Sequence, residues 1–473
     1  MITQMSVQLI FLGDQMKKKI PVEIGASYEL LIEDLSHDGL GIARLDGFLI
    51  FVKDGLPKEK VIAKVTHRKK NYAHAQTVEK LETTVDRTAP VCPLFEVCGG
   101  CQIQHMTDEA QLAFKKMQVI RHLKKFAHIE HPPVRDVIGM KAPWRYRNKT
   151  QVPFGQDETG EIVAGFYQSR SHDIIDMPNC FVQTEIADDI ISAIKKLMSK
   201  LGIAPYHESQ HEGVLRHVVI RVGFNTNELM VIFVTKTTDL PHEKALCQHL
   251  VERFPEIKSI VHNINPKVTN VIFGDTTHVI YGKPYIVDTL DGLSFLISAR
   301  SFYQVNPMQT EVLYRLAVDY TQITTDDIVF DAYCGIGTIT LFLARQAKHV
   351  YGVEIVPDAI SDAKKNAALN HINNVHFEVG QSEVVIPRWM NEGVIPDVIV
   401  VDPPRKGCDM ALLNAMINAR PKRIVYVSCD SATLARDIQI LEAGGYTLEV
   451  VQPVDMFPQT SHVECVALLS RKK

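Results

Sequence analysis

One segment, residues 326–355, constrains the fold of this chain more than any other. Its sequence, DDIVFDAYCGIGTITLFLARQAKHVYGVEI, contains an apolar strand, a glycine turn, a helix and a second apolar strand. This order is typical of a nucleotide-binding βαβ unit. From about residue 291 onward, strands and helices alternate strictly, which predicts a doubly wound α/β domain.

The glycine turn of this unit indicates the type of cofactor. A dinucleotide site requires G-x-G-x-x-G, but Thr340 stands where the third glycine should follow Gly335 and Gly337. A cofactor without phosphates demands less of this turn, and S-adenosylmethionine is such a cofactor. Glu354, at the end of the second strand, is placed to bind both ribose hydroxyls. We therefore predict an S-adenosylmethionine site, with a purely structural turn as the alternative.

Two later strands end in residues that suit a chemical reaction. The strand in PDVIVVDPPRKGC ends at Asp402, which two prolines and Arg405 follow. Because the ligand crevice of an open α/β sheet lies at the carboxyl ends of its strands, Asp402 is predicted to face the cofactor. The strand RIVYVSCD ends at Cys429, and a helix starts at once. Since a helix N-terminus lowers the pKa of a nearby thiol, Cys429 is predicted to be a nucleophile.

A thiolate beside a methyl donor indicates methylation of uracil. Carbon 5 of uracil is too weak a nucleophile to take the methyl group, but addition of a thiolate at carbon 6 makes it enolate-like. A base must then remove the proton from carbon 5, and Glu464 in SHVECVALLS is predicted to do so. Cys408 is an alternative thiol, whereas Cys334, Cys465 and Cys247 are expected to be packed in the interior.

A group of cysteines, Cys92, Cys98 and Cys101, lies in the segment CPLFEVCGGCQIQH. A chain of 473 residues that is 46% hydrophobic can bury an ample core without disulfides. No secretory signal or membrane-spanning stretch is visible, so a cytoplasmic location is expected, where clustered cysteines favour metal binding. The C-x5-C-x2-C spacing, with Cys180 as a distant fourth thiol, predicts a 4Fe-4S cluster. Zinc and unliganded cysteines are the alternatives.

Basic residues are concentrated in residues 111–150. This segment has ten lysines and arginines against two acidic residues, a net charge of +8, although the whole chain has a net charge of −4. Aromatic and cationic side chains interleave in WRYRNKTQ, residues 144–151, which suits base stacking beside phosphate contacts. We therefore predict that this segment binds RNA, with Arg145 and Arg147 among its contacts; a solvated surface is the alternative. A second basic run contains His67, Arg68, Lys69, Lys70 and Tyr72.

The pattern of strands, helices and turns divides the chain into four parts. Residues 1–23 are an N-terminal extension, in which Met16 is a second candidate start of translation. Residues 24–82 alternate short strands with turns and predict a small β-barrel. Residues 83–290 contain the grouped cysteines among helices and strands, and residues 291–473 are the α/β domain.

These motifs together resemble the bacterial RNA uracil-5 methyltransferases, specifically the 23S ribosomal RNA branch with an N-terminal TRAM barrel and a 4Fe-4S cluster. The resemblance rests on the cysteine segment with Cys180, SFYQVNP at 301–307, DAYCGIGT, DPPRKG, VSCD and HVE. It implies a class I, Rossmann-like S-adenosylmethionine-dependent methyltransferase domain, an OB-like TRAM barrel that binds RNA, and a central α+β iron–sulfur domain that also binds RNA.

The resemblance also implies roles for individual residues. Cys429 is the nucleophile and Glu464 the general base. The residues that line the S-adenosylmethionine site are Gln304, Tyr333, Glu354 and Asp402. The cluster ligands are Cys92, Cys98, Cys101 and Cys180.

The implied substrate is an unpaired or bulged uridine of 23S ribosomal RNA. Transfer RNA is the alternative substrate, and a non-catalytic RNA-binding iron–sulfur protein is a distant alternative; no motif for a protein partner is evident. The family often has Asn-Pro after the nucleophile, whereas this chain has Asp430 and Ser431. This places a carboxylate beside the thiol, an effect that the helix start is expected to outweigh.

Overall fold

The computed structural model of the protein describes residues 20–168 and 171–472. They form two compact units, divided between Arg87 and Thr88. The predicted N-terminal extension, residues 1–23, lies outside the described residues except for 20–23, and so does Met16. The predicted domain boundaries stay predictions. Within the described ranges, no helix combines the length and apolar character needed to cross a membrane.

The first unit is built from six strands. They are β1 (Ser27–Leu31), β2 (Asp34–Leu35), β3 (Gly41–Leu45), β4 (Phe48–Lys53), β5 (Lys60–Arg68) and β6 (Tyr72–Glu82). They pair in the order β1-β5-β6-β4-β3-β2, and β1 also packs against β3, so the sheet curves into a barrel. Val61, Ala63 and Val65 of β5 alternate into its core, as a half-buried strand requires. The all-β prediction for this part of the chain is confirmed.

The second unit begins with a helix and a six-stranded sheet. Its elements are α1 (Asp108–Phe126), β7 (Lys149–Gln156), β8 (Ile162–Ala164), α2 (Glu185–Leu201), β9 (Leu215–Val222), β10 (Leu229–Thr235), α3 (Glu243–Arg253), β11 (Ile257–Ile264) and β12 (Thr276–Gly282). The strand order is β12-β11-β10-β9-β7-β8. One face of this sheet packs on α2 and α3. The other face shares a core with the elements that follow, so both faces of β10 are buried.

The remainder of the second unit is a hairpin followed by a seven-stranded sheet with helices. Its elements are β13 (Tyr285–Leu290), β14 (Leu293–Ser298), α4 (Pro307–Thr321), β15 (Ile328–Asp331), α5 (Thr338–Ala344), β16 (His349–Glu354), α6 (Pro357–Leu369), β17 (Val375–Val379), α7 (Ser382–Asn391), β18 (Val398–Val401), α8 (Met410–Ala419), β19 (Arg423–Ser428), α9 (Ser431–Ala443), β20 (Tyr446–Val454) and β21 (Glu464–Arg471). The predicted alternation of strands and helices is confirmed.

The order of the seven strands determines where a ligand can bind. It is β17-β16-β15-β18-β19-β21-β20, and all pairs are parallel except the two that β21 makes. The chain moves outward from β15 through β16 to β17, then returns to the other side of β15 with β18. Ligands bind at the carboxyl ends of strands where the order reverses, which here is between β15 and β18.

Part of the basic segment 111–150 lies in the protein interior, and RNA binding by the rest of it stays a prediction. Lys115 is fully buried, and its ammonium donates to Asp455 Oδ1 at 2.5 Å. Tyr146 is also fully buried, and its hydroxyl donates to the carbonyl of Pro458 at 2.9 Å. Neither side chain is available to RNA, because each closes a contact within the protein interior.

The side chain of Arg145 also makes its contacts within the second unit. Its Nη1 donates to the carbonyl of Cys180 at 2.6 Å and pairs with Asp188 Oδ2 at 2.9 Å. A substitution of Arg145 would therefore disturb the loop at Cys180 as well as any contact with RNA. The basic side chains of the segment that are exposed are Arg121, Lys124, Lys125, Arg135 and Lys141.

The buried pair of Lys115 and Asp455 leads to a prediction about stability. Lys115→Met should lower the free energy of unfolding by about 3 kcal/mol, because it leaves a buried carboxylate without its cation. The double variant Lys115→Met/Asp455→Leu should recover most of that loss, since both charges are then removed. Urea unfolding followed by fluorescence measures both changes.

The matched control is Lys116→Met, because Lys116 pairs on the surface with the exposed Asp136 at 2.6 Å. A surface pair contributes at most about 1 kcal/mol. Equal losses for Lys115→Met and Lys116→Met would contradict a structural role for the buried pair.

Candidate active site

The pairing of β19 with β21 places the two predicted catalytic side chains next to each other. In this antiparallel pair, Ser428 lies opposite Cys465. Cys429 follows Ser428 and Glu464 precedes Cys465, so both residues lie at the same end of this strand pair, where the carboxyl group of Glu464 is near enough to raise the pKa of the Cys429 thiol. Asp402 directly follows β18, the parallel neighbour of β19, and lies at the same edge of the sheet.

Asp430 has a different role from the one that its sequence position suggests. It is the N-cap residue of α9, and its carboxylate accepts hydrogen bonds from the backbone N–H groups of Ala432 at 2.9 Å and Thr433 at 3.0 Å. Asp is a favoured N-cap residue for this reason. These N–H groups are thus already paired and are not free to stabilise a thiolate at Cys429.

The expected lowering of the pKa of Cys429 is wrong for the protein alone. Burial raises the pKa of this thiol to about 12, and the carboxyl groups of Glu464 and Asp402 contribute to the rise. The guanidinium of Arg405 acts in the opposite direction. Cys429 is therefore a thiol at neutral pH until the charge around it changes.

The carboxyl groups at this edge hold protons unusually tightly. Burial raises the pKa of Glu464 to about 8, and Asp402 adds to this effect. Burial also raises the pKa of Asp402 to about 7, with a contribution from Asp331. Groups that titrate near neutral pH suit general acid–base catalysis. Three acidic side chains together also suit a positively charged ligand.

Asp331 belongs to this group although the sequence analysis did not single it out. It is the last residue of β15, and burial raises its pKa to about 6. Thr340 Oγ1 donates to Asp331 Oδ2 at 2.6 Å, which gives a reason for a threonine where a dinucleotide site has glycine. The signal was available in the sequence, because Asp331 ends the first strand of the βαβ unit at residues 326–355.

The glycine turn after β15 brings the backbone close to its neighbours. Gly337 has a φ of 83°, in the left-handed region that favours glycine. A Cβ atom at this residue would lie 3.1 Å from the ring of Phe377 and 3.3 Å from the Cβ of Ala363. Glu354 ends the neighbouring strand β16 and is partly exposed, as a residue that binds a ligand at this edge must be.

Gln304 and Tyr333, which only the resemblance implied, lie near the same edge of the sheet. Gln304 is 7% exposed, and Asn148 Nδ2 donates to its backbone carbonyl at 3.0 Å. This bond ties the segment SFYQVNP to the start of β7. Tyr333 follows β15 by two residues, and burial together with the nearby Cys408 raises the pKa of its hydroxyl.

Four further thiols of the second unit have more enclosed surroundings than Cys429; they are Cys247, Cys334, Cys408 and Cys465. Cys408 is 5% exposed and faces Tyr426, Asp437 and Tyr333 rather than Glu464. Those that the sequence analysis expected to be packed, Cys334, Cys465 and Cys247, are all buried. Cys465 also lies beside Glu464 but is fully buried, whereas Cys429 combines this neighbour with partial exposure.

The four predicted cluster cysteines line one cavity of about 180 Å³. Cys92, Cys98 and Cys101 are partly exposed, whereas Cys180 is buried. Burial raises the pKa of Cys101 to about 12, with contributions from the other thiols, including Cys180. Within residues 20–168 and 171–472, no three His, Cys, Asp or Glu side chains are arranged to hold one metal ion. The sulfurs thus surround a common space without converging on one point.

Comparison with known proteins agrees with this geometry. The TRAM domain model matches residues 21–78, and the model of the tRNA (uracil-5-)-methyltransferase family matches residues 109–386 and 393–472. An uncharacterized RNA methyltransferase of Halalkalibacterium halodurans is 54% identical over 96% of this chain and 99% of its own length. One of Bacillus cereus is 53% identical over 95% of this chain and 98% of its own length.

A solved structure shows the same architecture. The tRNA (uracil-54, C5)-methyltransferase of Pyrococcus abyssi, in complex with S-adenosyl-L-homocysteine, superposes with a TM-score of 0.74 at 28% identity. The match covers 93% of this chain and 99% of that chain. The sheet and the site at its edge define a class I S-adenosylmethionine-dependent methyltransferase. Since the family model matches most of its length, the chain belongs to the tRNA (uracil-5-)-methyltransferase family, and it is an RNA methyltransferase with an N-terminal TRAM domain.

The charges around Cys429 lead to a prediction about its reactivity. In the protein alone, alkylation of Cys429 by iodoacetamide should be slow at pH 8 and rise with pH, because the pKa of its thiol is raised to about 12. At pH 9.5, Glu464→Gln and Asp402→Asn should each accelerate alkylation, about tenfold if the pKa falls by about one unit. Arg405→Gln should slow it. Mass spectrometry of the Cys429 peptide gives the rates.

The control is Asp358→Asn, which neutralises a carboxylate exposed on α6. It should leave the alkylation rate of Cys429 unchanged. A wild-type rate that reaches its plateau below pH 8 would show that the thiol is already activated and would contradict the effect of the two carboxyl groups.

Proposed function

We propose that the protein transfers a methyl group from S-adenosylmethionine to carbon 5 of an unpaired uridine in 23S ribosomal RNA, forming 5-methyluridine. The observation that carries this proposal is the juxtaposition of Cys429 and Glu464, one step beyond the paired residues Ser428 and Cys465. A thiol that adds to carbon 6 and a base that removes a proton from carbon 5 must act on neighbouring atoms of one ring. Two side chains that lie together at one end of a strand pair suit this requirement.

The residues at the edge of the sheet fit S-adenosylmethionine. The three buried carboxyl groups of Asp331, Asp402 and Glu464 suit a sulfonium cation, and Glu354 ends β16 where it would receive ribose hydroxyls. Gln304 and Tyr333 would complete the site with Asp402 and Glu354. The cofactor, when bound, supplies an electrophilic methyl group and a positive charge.

Cys429 and Glu464 then divide the reaction into two steps. Loss of the thiol proton to solvent, which the partly exposed Cys429 can reach, gives a thiolate that the guanidinium of Arg405 stabilises, and Glu464 stays free to act as the base later. The sulfur forms a bond to carbon 6, and the electron pair that moves to carbon 5 takes the methyl group. Glu464 accepts the proton from carbon 5, and the returning electron pair breaks the bond to sulfur. A pKa raised to about 8 makes Glu464 a stronger base than an ordinary glutamate.

Several features support an RNA substrate. The first unit carries a TRAM domain, and the rings of Phe51, Tyr72 and His74 contact one another on it, with centroids 5.4 to 5.7 Å apart. Arg68 and Lys69 near them are exposed. Rings beside cations suit single-stranded RNA.

The choice of ribosomal over transfer RNA rests on the resemblance of the TRAM barrel and cysteine segment to the ribosomal branch. Transfer RNA is the second candidate, because the Pyrococcus abyssi relative is a transfer RNA enzyme. Cytoplasmic location stays a prediction.

We also propose that Cys92, Cys98, Cys101 and Cys180 bind a 4Fe-4S cluster. A tetrahedral zinc site needs all its sulfurs at about 2.3 Å from one metal, an arrangement absent from the described part of the chain. A cubane takes one thiolate at each of its irons, so its ligands surround a volume. The cavity that the four thiols share has this character. The cluster would hold the cysteine segment against the loop at Cys180, since methyl transfer needs no redox step.

Two substitutions separate the steps of the reaction. Cys429→Ala should abolish methyl transfer, because no thiol then activates carbon 5, and leave S-adenosylmethionine binding nearly intact by calorimetry. Glu464→Gln should allow addition and transfer but stall release, so that a methylated RNA–protein adduct survives denaturing electrophoresis. RNA with 5-fluorouridine should trap the wild-type protein in the same way. Cys408→Ala is the control and should retain activity.

The RNA substrate is identified by mapping 5-methyluridine in ribosomal and transfer RNA of a strain that lacks the gene. Loss confined to 23S ribosomal RNA supports the proposal, and loss confined to transfer RNA selects the second candidate. Methylation at a normal rate by Cys429→Ala would reject the covalent mechanism.

The cluster proposal predicts the metal content of the protein. Protein purified without oxygen should contain about four irons and four sulfides and absorb visible light. Cys180→Ser should reduce this content, whereas Cys247→Ser, which alters a buried cysteine on α3, should not. Stoichiometric zinc without iron would show that the thiols bind a different metal.

A further inference from the structure

A cavity of about 780 Å³ lies in the second unit, against the sheet that contains β7 and β9. Gln151 and Pro153 of β7 and His217 of β9 form its floor, and Tyr167 and Tyr206 belong to its walls. Its volume falls within the range of ligand sites, about 300–1,000 Å³. The proposed reaction uses none of these residues.

The floor of the cavity lies on the face of the sheet that adjoins the catalytic elements. Pro153 lies opposite His217, and Gln151 lies opposite Val219. Val219 is buried in the core that the sheet shares with α4 and the seven-stranded sheet. Residues that alternate along a strand share a face, so Gln151 and Pro153 point to the same side as Val219.

The same face of β7 and β9 extends from the cavity towards the segment that contains Gln304. Two residues before Gln151, Lys149 lies opposite Arg221. Arg221 is buried and donates to the carbonyl of Ser301 at 2.5 Å, three residues before Gln304. From Lys149 to Pro153 the strand rises roughly 13 Å. The cavity thus lies roughly this far from the contact of Arg221 with Ser301. Because this strand face is buried, RNA would pass over the surface, where about four stacked nucleotides, at about 3.4 Å each, cover an equal length.

A β-bulge shapes the cavity wall. His217 pairs with Val234 and Leu215 with Thr235, which leaves Arg216 as the extra residue. Bulges often redirect a side chain next to a functional site. The guanidinium of Arg216 lies 4.6 Å from the ring centroid of Tyr206 and holds this ring in place. Arg216 is 4% exposed, and its Nε has no hydrogen-bond partner among the described residues.

The groups around the cavity favour a neutral, hydrogen-bonding, flat ligand. His217 Nδ1 is buried and has no hydrogen-bond partner in the described part of the chain. The rings of Tyr167 and His172 lie 5.5 Å apart and offer an aromatic surface. The carboxylates among the lining residues are Asp157, Glu158, Asp173 and Glu208. They repel phosphate but accept hydrogen bonds from amino groups.

We infer that this cavity binds an unpaired nucleobase with an exocyclic amino group, located a few nucleotides from the methylated uridine in the same RNA. Sequence-specific RNA recognition uses splayed bases that stack on aromatic side chains and hydrogen-bond through their edges. The carboxylates keep the phosphate backbone outside while the base enters. The inference rests on the proposed function, because it takes the same RNA as the occupant of both sites.

A covalently anchored RNA tests this inference with full-length protein. A synthetic RNA that spans the mapped uridine carries 5-fluorouridine at that nucleotide, so the adduct with Cys429 fixes its register. One 2-aminopurine, which carries an exocyclic amino group, replaces each of the four neighbours on either side in turn. Its fluorescence should be quenched at one of these nucleotides in the wild-type adduct, because the base stacks in the cavity.

Two variants test whether the cavity causes this signal. His217→Ala, on the floor, and Glu208→Gln, on the exposed rim, should each restore the emission at that nucleotide. The control is His249→Ala, an exposed histidine on α3, which should leave it quenched. A second measurement replaces the base at the quenched nucleotide with purine, which lacks the amino group. RNA binding, measured by anisotropy, should weaken about tenfold, as it does when one well-bound base is lost.

The outcomes separate the inference from the proposed function. If the adduct forms and neither variant changes the emission at any nucleotide, the cavity does not bind a base and the inference is wrong. If wild-type protein forms no adduct, the proposed reaction is wrong. The affinity measurements by anisotropy then still test whether the cavity binds a base. If substitution with purine leaves the RNA affinity unchanged at every nucleotide, the inference is wrong.

Discussion

The antiparallel pairing of β21 with β19 is the interaction on which the site depends. In the described part of the chain, β21 runs opposite to the other six strands of the seven-stranded sheet, so its first residue, Glu464, lies at the edge where those strands end. A shift of one residue in this pairing would turn Glu464 to the opposite face of the sheet. The backbone hydrogen bonds of two strands thus bring together the proposed nucleophile and the proposed base, which lie in different strands of the sheet.

The segment that leads into β21 is held from several directions. Gln111 and Gln459 form a reciprocal pair, in which Gln111 Nε2 donates to Gln459 Oε1 at 3.0 Å and Gln459 N donates to Gln111 Oε1 at 3.1 Å. The carbonyl of Gln459 accepts from the backbone N–H of Gln102, next to Cys101, at 3.1 Å. The cysteine segment and α1 are therefore in direct contact with the segment that precedes Glu464, the first residue of β21.

Sequence patterns predicted the features of this protein that are local. The βαβ unit, the strand ends at Asp402 and Cys429, and the all-β first unit follow from short-range periodicity and turns. The pKa of Cys429 depends on burial and on a carboxyl group contributed by a distant strand, which no local pattern contains. A local pattern also cannot show that Lys115 and Tyr146 are buried, because their partners at Asp455 and Pro458 lie more than 300 residues away in the chain.

The raised pKa of Cys429 has a consequence for the oxidation of its sulfur. Oxidation of cysteine to sulfenic acid and beyond begins with the thiolate, and partly exposed low-pKa cysteines are the usual targets. Cys429 is partly exposed, but its thiol is protonated at neutral pH, so little thiolate is present to react with peroxide. Burial and the carboxyl groups of Glu464 and Asp402, which raise the pKa of Cys429, therefore also slow the oxidation of its sulfur.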